Sequence, residues 1–277
     1  MSAAEHDMVA IPATTGVVGL DAAQVETLAA AHSALAGEQA LADWKPEDDD
    51  GTQLNPEFRY AEAMSDPGKH RLGLRTLIPR RTVTVAAFAI DRTRVTNQMY
   101  ARFLRDTGRG APPSWPGGRI PAGREGCPVT HVSHKDAYSY ATWAELELPR
   151  EDEWEIAASG GDGRRYPWGD DARPELEQLR RADAATLPAD AHKALASKFG
   201  VLGLVWPSWE WCYGAFAPLP GGDAAAFKAA YPTHYEAWRA LRGGHSYRLQ
   251  YGVWARMGAE PSMNRFLYGF RCVKRGV

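Results

Sequence analysis

Residues 128–161 read PVTHVSHKDAYSYATWAELELPREDEWEIAASGG. This stretch predicts two short helices. Ser133 and Asp136 are spaced as a capping box in its acidic variant, which marks the start of the first helix. Pro149 marks the start of the second, because proline is tolerated in the first turn of a helix. The apolar side of the first helix consists of Ala137, Tyr140, Ala141 and Ala144. We therefore expect two short packed helices here rather than one long helix.

The flanking sequence predicts further short elements. A short strand with a turn is expected at 8–19, a strand at 81–90, and helices at 21–44, 96–108 and 223–230. Asp21 and Thr96 are suitable N-cap residues for two of these helices. Residues 45–69 are acidic and rich in turn formers, so we expect them to form a surface excursion.

The composition favours a protein with much tightly packed loop. The 277 residues include 10 Trp, 27 Gly and 19 Pro, a content of aromatic and chain-reversing residues that is typical of irregular connections. Bundles of long helices and ordinary parallel α/β folds fit it poorly. The formal net charge of −2 provides no basic field, so neither nucleic acid nor a membrane is expected as a partner. No membrane-spanning stretch or secretory signal is visible, which predicts a cytoplasmic location.

Six blocks of sequence occur in a fixed order along the chain. They are FAIDRTRVTNQMYARFL (88–104), PVTHVSHKDAYSYATWAELELPREDEWEIAASGG (128–161), RRYPWGDD (164–171), FGVLGLVWPSWEW (199–211), ALRGGHSY (240–247) and YGFRCV (268–273). This series resembles the formylglycine-generating enzyme, or sulfatase-modifying factor, family over residues 8–19 and 80–275. The resemblance implies an α+β, C-type-lectin-like fold with little regular secondary structure. We expect residues 1–277 to form a single domain of this kind, with an insertion at about 20–79.

The resemblance also implies structural roles for several prominent residues. Glu153, Glu155 and Arg271 would be buried partners in ion pairs that hold the loops together. Cys212 and Cys272 are expected to be buried, inert thiols. Five tryptophans are expected to fill the core, namely Trp143, Trp154, Trp168, Trp209 and Trp211.

The chain departs from the family where oxygen chemistry is expected. Members that oxidise a substrate cysteine to formylglycine carry two cysteines after an RGGS motif, and their thiolates bind copper(I). Here residues 245–251 read HSYRLQY and contain no cysteine, and His245 replaces the motif serine. We therefore expect no formylglycine generation. His245 is a candidate catalytic residue and metal ligand, because histidine can act as a base or bind a transition metal.

A calcium site implied by the resemblance is also altered. The family's GNVWEW segment, which helps bind calcium, reads WPSWEW (206–211) in this chain. Glu210 is retained as a candidate metal ligand, but Pro207 replaces the amide ligand and Gly203 occupies an upstream ligand position. Because Ca²⁺ takes about six to eight oxygen ligands, we expect this site to be weakened or lost.

The C-terminal region 242–271 has the composition of a ligand-binding surface. Tyr, Trp and Arg give a large contact area at modest entropic cost. The candidate ligand-binding residues are His245, Tyr247, Arg248, Tyr251, Trp254, Arg256, Met263, Arg265, Phe266 and Tyr268. The region also resembles the variable region of diversity-generating-retroelement proteins, which share this fold, end in a GFR-like motif and present substituted positions to a ligand. The expected partner is a protein or a small molecule, and core packing is the alternative role for these aromatic residues.

Ligand binding is the function that we favour, and two others remain. The alternative is a metal-dependent oxidoreductase of the same superfamily that acts on a peptide or natural-product intermediate, with a single transition metal held partly by His245. His131 and His134 do not complete such a site, because no third ligand is evident near them in the sequence. The third function is a scaffold that only retains the fold, since a fold does not dictate an activity.

Overall fold

The computed structural model of the protein describes residues 6–30, 66–171, 173, 187–205, 208–232, 235–244, 252–266 and 268–276. Short strands and helices are joined there by long connections, and none of the described helices is long and apolar enough to cross a membrane. The strands are β1 (Met8–Ile11), β2 (Thr14–Val18), β3 (Arg81–Val85), β4 (Phe88–Asp91), β5 (Trp209–Ala215), β6 (Arg239–Arg242), β7 (Arg256–Ala259), β8 (Tyr268–Gly269) and β9 (Val273–Arg275). The helices are α1 (Ala22–Ala30), α2 (Pro67–Arg75), α3 (Asn97–Thr107), α4 (His134–Trp143), α5 (Glu151–Ser159) and α6 (Ala224–Ala230).

The described strands form three small sheets. β4 lies between β1 and β9 in an antiparallel sheet, and β2 pairs with β3. The third sheet has the order β7-β6-β5-β8, in which β5 and β8 are parallel and the other pairs are antiparallel. Its register places Glu210 of β5 opposite Arg242 of β6 and beside Gly269 of β8. The blocks WEW, RGG and GFR, which are far apart in the sequence, therefore meet in one sheet.

The chain changes sheet within the segment 81–90, where one strand was expected. β3 ends at Val85 and pairs with β2, whereas β4 begins at Phe88 and pairs with β1 and β9. The partner segment 8–19 is divided in the same way, between Ile11 and Thr14. The expectation of a single strand is wrong, because apolar periodicity does not reveal a passage from one sheet to another.

The helices over 96–108 and 134–143 begin at the capping residues that the sequence indicates. At the start of α3, Thr96 accepts a hydrogen bond from the Met99 N–H (3.3 Å), and the helix ends at Gly108 in the left-handed conformation. At the start of α4, Ser133 accepts from the Asp136 N–H (3.1 Å) and Asp136 accepts from the Ser133 N–H (3.1 Å). This reciprocal pair is the capping box expected from the sequence, and both helix predictions are confirmed.

Helix α1 confirms the first part of the helix expected at 21–44. The Asp21 carboxylate accepts from the Gln24 N–H (2.8 Å), and the Gln24 side chain accepts from the Asp21 N–H (3.0 Å). Val25 and Leu28 form its buried side. Residues 31–44 of the expected helix lie outside the described residues.

Helix α2 begins inside the segment 45–69, which was expected to be a surface loop. Asp66 caps it and accepts from the Gly68 N–H (2.8 Å), with proline at the first helical position. The Asp-Pro pair at 66–67 is the sequence signal for this start. Residues 45–65 lie outside the described residues, and the expectation is corrected only for the end of the segment.

Aromatic side chains fill the core between the sheets and the helices. Trp154, Trp209 and Trp211 are among the largest fully buried side chains in the described part of the chain. Trp143 and Trp168 are partly buried and pack against the same core. The core role expected for these five tryptophans is therefore confirmed, completely for three of them and partly for two.

Buried ion pairs connect helix α5 to the strands around it. Glu155 binds Arg242 of β6 (Oε2–Nη2 2.5 Å), and Glu153 binds Arg275 of β9 (Oε2–Nη2 2.7 Å). The bonded residues are 87 and 122 positions apart in the sequence. The ion pairs therefore hold together segments that are joined by long connections without a backbone hydrogen-bond ladder. The structural role expected for the two glutamates is confirmed.

Candidate functional site

The C-terminal region 242–271 does not form one exposed surface. All four residues of strand β7 are buried. This strand separates residues 252–254 at one end of the sheet from residues 260–266 at the other. Four candidate ligand-binding residues, His245, Tyr247, Arg248 and Tyr251, lie outside the described residues.

Three other candidates lie in the protein interior, which corrects the expectation that their side chains form a surface. Trp254 and Arg256 are only 5% and 4% exposed. Tyr268 is fully buried, with its ring centroid 5.2 Å from that of Trp211. Arg256 forms a double hydrogen bond with Glu151 (Nε–Oε2 2.5 Å, Nη2–Oε1 2.9 Å). The physical reason for the correction is that all residues of β7 and β8 are buried, so Arg256 and Tyr268 pack inward, and Trp254 is buried in the turn that leads into β7.

The remaining three candidates lie at or near the surface beside the start of helix α4. Met263 and Arg265 are half-buried, and Phe266 is 36% exposed. The His131 N–H donates to the Arg265 carbonyl oxygen (3.2 Å), and the His131 ring lies 5.6 Å from the Phe266 ring. This part of the tail is therefore fixed against the loop that leads into α4.

Two exposed tyrosines from other elements extend this surface. Tyr138 of α4 and Tyr213 of β5 are 50% and 51% exposed, and their ring centroids lie 6.5 Å apart at an angle of 27°. His134 links them to the interior, because its ring stacks on Tyr138 (6.4 Å) and meets Trp211 edge-on (5.6 Å). We call the resulting surface the aromatic face, and it consists of His131, His134, Tyr138, Tyr213 and Phe266. Within the described residues, its three Tyr and Phe side chains are the exposed large hydrophobic groups.

Both histidines of the aromatic face are neutral at pH 7. Burial, followed by the nearby charge of Arg239, lowers the pKa of His134 to about 4, and burial also lowers the pKa of His131. His134 Nε2 is buried and has no hydrogen-bond partner among the described residues. The positive charge of Arg239 acts on His134, and the Arg239 guanidinium donates only to the Trp238 carbonyl oxygen (3.4 Å) in the described part of the chain. The aromatic face is therefore an apolar surface with a positive edge.

Sequence reasoning did not identify Tyr138 or Tyr213. Tyr138 lies outside the apolar side predicted for its helix, and an aromatic residue on a polar side is a usable signal for a binding surface. Tyr213 carries no comparable signal, since it follows a run of buried strand residues. The two come together only through the packing of α4 on β5.

None of the three cysteines is placed to bind copper(I) as a thiolate. Cys127, Cys212 and Cys272 are all buried and unbonded to one another. Burial raises the pKa of Cys212 and of Cys272 well above the ordinary thiol value. The donor set of this chain therefore does not fit the copper centre that formylglycine generation requires.

We expect the native protein to resist thiol alkylation. Buried thiols with raised pKa values react slowly, because the thiolate is the reacting form. After treatment with iodoacetamide at pH 8, intact mass spectrometry should show the unmodified chain, whereas protein unfolded in urea should gain three adducts, one for each cysteine. Rapid labelling of Cys212 or Cys272 in the folded protein would contradict the burial of these groups.

The calcium site implied by the resemblance does not fit the residues around Glu210. Arg271 occupies both carboxylate oxygens of Glu210 (Nε–Oε2 2.6 Å, Nη2–Oε1 2.8 Å), and the Trp154 Nε1–H also donates to Oε2 (2.9 Å). The Arg94 guanidinium lies 3.9 Å from Oε1. Two positive charges thus surround one carboxylate, and a divalent cation would add to an existing excess. The expectation that Glu210 is a metal ligand is corrected to a structural role, as is consistent with the buried ion pair expected for Arg271.

The described residues offer no other evident metal centre. No group of three or more His, Cys, Asp or Glu side chains within them is arranged to hold a metal ion. His245, the other candidate metal ligand and catalytic residue, lies outside the described residues.

Comparisons with known proteins agree with the sequence blocks and with the fold. The model of the sulfatase-modifying factor enzyme 1-like domain matches residues 55–276. The formylglycine-generating enzyme of Streptomyces coelicolor is 31% identical, over 70% of this chain and 80% of the relative. The hercynine oxygenase of Mycobacterium tuberculosis is 33% identical, over 68% of this chain but only 49% of the relative. This chain therefore spans about half the length of that second relative.

A solved structure confirms the fold independently of close sequence similarity. Variable protein 1 of Treponema denticola superimposes with a TM-score of 0.56 at 16% identity, and the match covers 97% of this chain and 94% of that protein. Similarity at this level of identity establishes a shared fold and no shared activity. With the family match over most of its length and this shared fold, the chain belongs to the sulfatase-modifying factor enzyme 1-like family.

Proposed function

We propose that this protein is a ligand-binding member of the family and that the aromatic face is part of its binding surface. The observation that carries the proposal is the clustering of exposed aromatic groups. Tyr138 of α4 stacks on Tyr213 of β5 with ring centroids 6.5 Å apart, and His134 stacks on Tyr138. Phe266 of the C-terminal region packs on His131, three residues before His134 in the chain. Exposed aromatic groups that gather on one face are typical of interaction sites.

The chemistry of the face favours a ligand that combines apolar or aromatic groups with negative charge. The tyrosine rings offer flat apolar area together with hydroxyl groups for hydrogen bonds. Arg239 places positive charge near the His134 ring of the face. Because His131 and His134 are themselves neutral at pH 7, they add ring area rather than charge. A protein segment or small molecule with an acidic group beside an aromatic group has the matching properties.

Formylglycine generation is not part of the proposed function. Residues 245–251 contain no cysteine, and the three cysteines elsewhere are buried. A thiolate is the form that binds copper(I) and engages a substrate thiol. The protein is expected to convert no cysteine of a substrate peptide in the presence of copper and oxygen.

The resemblance of region 242–271 to a variable region supports the binding proposal further. The Treponema structure with the same fold is named a variable protein. If this chain is also diversified, the DNA beside its gene should contain a near-copy of the codons for 242–271, with mismatches at template adenines, next to a reverse transcriptase. Gln250, Met257, Glu260 and Met263 would then be constant positions, because adenine-directed changes of asparagine codons do not readily produce them.

The relative from Mycobacterium tuberculosis supports a second candidate function. That protein is named an oxygenase, and His245 is the residue through which this chain would hold a single transition metal for oxidation of a peptide or natural-product intermediate. Near-stoichiometric metal in the purified protein that disappears in His245→Ala would favour this function over binding alone.

We expect the triple variant Tyr138→Ala, Tyr213→Ala and Phe266→Ala to lose ligand capture by at least about tenfold, since exposed aromatic groups commonly dominate binding energy. Its melting temperature should change little, because substitutions at exposed positions away from special features have small effects. The measurement is affinity capture from native cell extract by immobilised protein, with thermal unfolding recorded in parallel. Lys274→Ala removes an exposed side chain of β9 that does not belong to the aromatic face and is the control.

Two results would contradict the proposal for the aromatic face. One is equal capture by the wild type, the control and the triple variant. The other is a large fall in the melting temperature of the triple variant, which would show that the three rings stabilise the fold instead.

A further inference from the structure

Arg94 lies in the connection between β4 and α3, with its guanidinium inside the protein. The residue is 3% exposed. Its single hydrogen bond to the described residues runs from Nη1 to Ser208 Oγ (3.3 Å). Its Nε is buried and has no partner there. Buried arginines normally satisfy their donors with carboxylates or carbonyl oxygens, so this guanidinium has donor capacity that the described residues leave unused.

Among the described residues, the groups beside Arg94 do not balance its charge. Glu210 is the carboxylate that faces it, at 3.9 Å between Nη1 and Oε1, and both oxygens of Glu210 already bind Arg271. The single negative charge of Glu210 thus faces two buried positive charges, those of Arg94 and Arg271. Burial, partly offset by Glu210 and reinforced by Arg271, lowers the pKa of Arg94 to about 10, so the group remains protonated at neutral pH. A buried charge without full compensation is unfavourable and attracts an anion.

Arg94 also lines a pocket that has no acidic side chain among the described residues of its wall. The other walls are formed by apolar groups, including Trp168, Leu195 and Val205, and by His192. The pocket volume of about 30 Å³ is enough for about two water molecules, and its mouth is open to solvent. This size admits only a small ligand or the end of a larger one. The apolar walls and the guanidinium together favour a small monovalent anion over water alone.

We propose that this pocket binds a small carboxylate such as formate or acetate, held by the guanidinium of Arg94. A guanidinium offers planar N–H donors that match the two oxygens of a carboxylate. The ligand supplies the negative charge that the cluster of Arg94, Arg271 and Glu210 lacks. This site is separate from the aromatic face, and it does not depend on the proposed function.

The first test measures thermal unfolding while sodium acetate replaces sodium methanesulfonate at constant ionic strength. Binding to the folded state alone raises stability with the logarithm of ligand concentration once the site is mostly occupied, and we expect the melting temperature of the wild type to rise by about 3 °C at the highest acetate concentration. Arg94→Gln should show no such rise. Arg92→Gln is the matched control, because Arg92 is a more exposed arginine two positions away that pairs with Asp7, and it should respond as the wild type does.

The second test uses the wild-type protein alone, so it stands even if Arg94→Gln fails to fold. The proton signal of formate in saturation-transfer NMR should appear with the wild type and disappear when acetate is added. Absence of that signal, or an acetate response of equal size in Arg94→Gln, would overturn the proposal. A response to chloride with none to acetate or formate would show a halide site and would also overturn the assignment to a carboxylate.

Discussion

Glu210→Gln is expected to lower the free energy of unfolding by about 3–5 kcal/mol. Glu210 is fully buried, and it is the acceptor for the double hydrogen bond from Arg271, which is also fully buried. The neutral amide would leave both Arg271 and Arg94 without a compensating charge in the interior. Breaking a buried ion pair by removing one partner costs far more than the pair contributes relative to apolar residues. Urea unfolding followed by tryptophan fluorescence measures the loss.

The matched control is Glu26→Gln, which removes a carboxylate from an exposed ion pair. Glu26 and its partner Arg71 have side chains that are 54% and 55% exposed, and surface pairs of this kind contribute about 0–1 kcal/mol. The double variant Glu210→Gln with Arg94→Met should recover part of the stability lost in Glu210→Gln, because it removes one of the two uncompensated charges. Equal stability of Glu210→Gln and the wild type would show that the cluster is solvated in the native protein.

The sequence was sufficient to predict those parts of the fold that depend on local signals. Thr96 and Gly108 delimit α3 through side-chain capping and a left-handed residue, and both effects act within a few residues. The same holds for the capping box of Ser133 and Asp136. The family resemblance then supplied the arrangement of these elements. The break between β3 and β4 was not predicted, since it depends on which sheet each half of the segment joins.

The candidate site was harder to predict, because the direction of a side chain in a covered strand has no periodic signal. A strand that is buried on both faces does not alternate between apolar and polar residues. Tyr268 of β8 therefore has the composition of a recognition surface while it packs in the core. The exposed tyrosines at 138 and 213 are 75 positions apart along the chain, and only tertiary packing places their rings together.

Arg256 is the clearest example of a residue that was expected at a binding surface and packs in the core. Arg256→Ala is expected to lower the free energy of unfolding by about 3–5 kcal/mol. Its guanidinium binds Glu151 through two hydrogen bonds, donates to the Ala217 carbonyl oxygen (2.7 Å) and lies 4.5 Å from the centre of the Phe216 ring. Arg256→Lys should restore little, because an ammonium group cannot form the double hydrogen bond. Arg105→Ala removes an exposed arginine of α3 and should leave stability nearly unchanged.

The pH dependence of Arg256→Ala gives an independent check on the same contact. Burial would raise the pKa of Glu151, but Arg256 and then Arg242 outweigh this effect, and the net pKa is lowered. A carboxyl group with a lowered pKa in the folded state stabilises the protein above its ordinary pKa, and this contribution is lost as the pH falls through the folded-state value. The stability difference between the wild type and Arg256→Ala should therefore be largest near pH 7 and shrink on acidification. If Arg256→Ala instead keeps full stability at pH 7 and loses only ligand capture, Arg256 belongs to a binding surface, as its sequence context indicates, and not to the core.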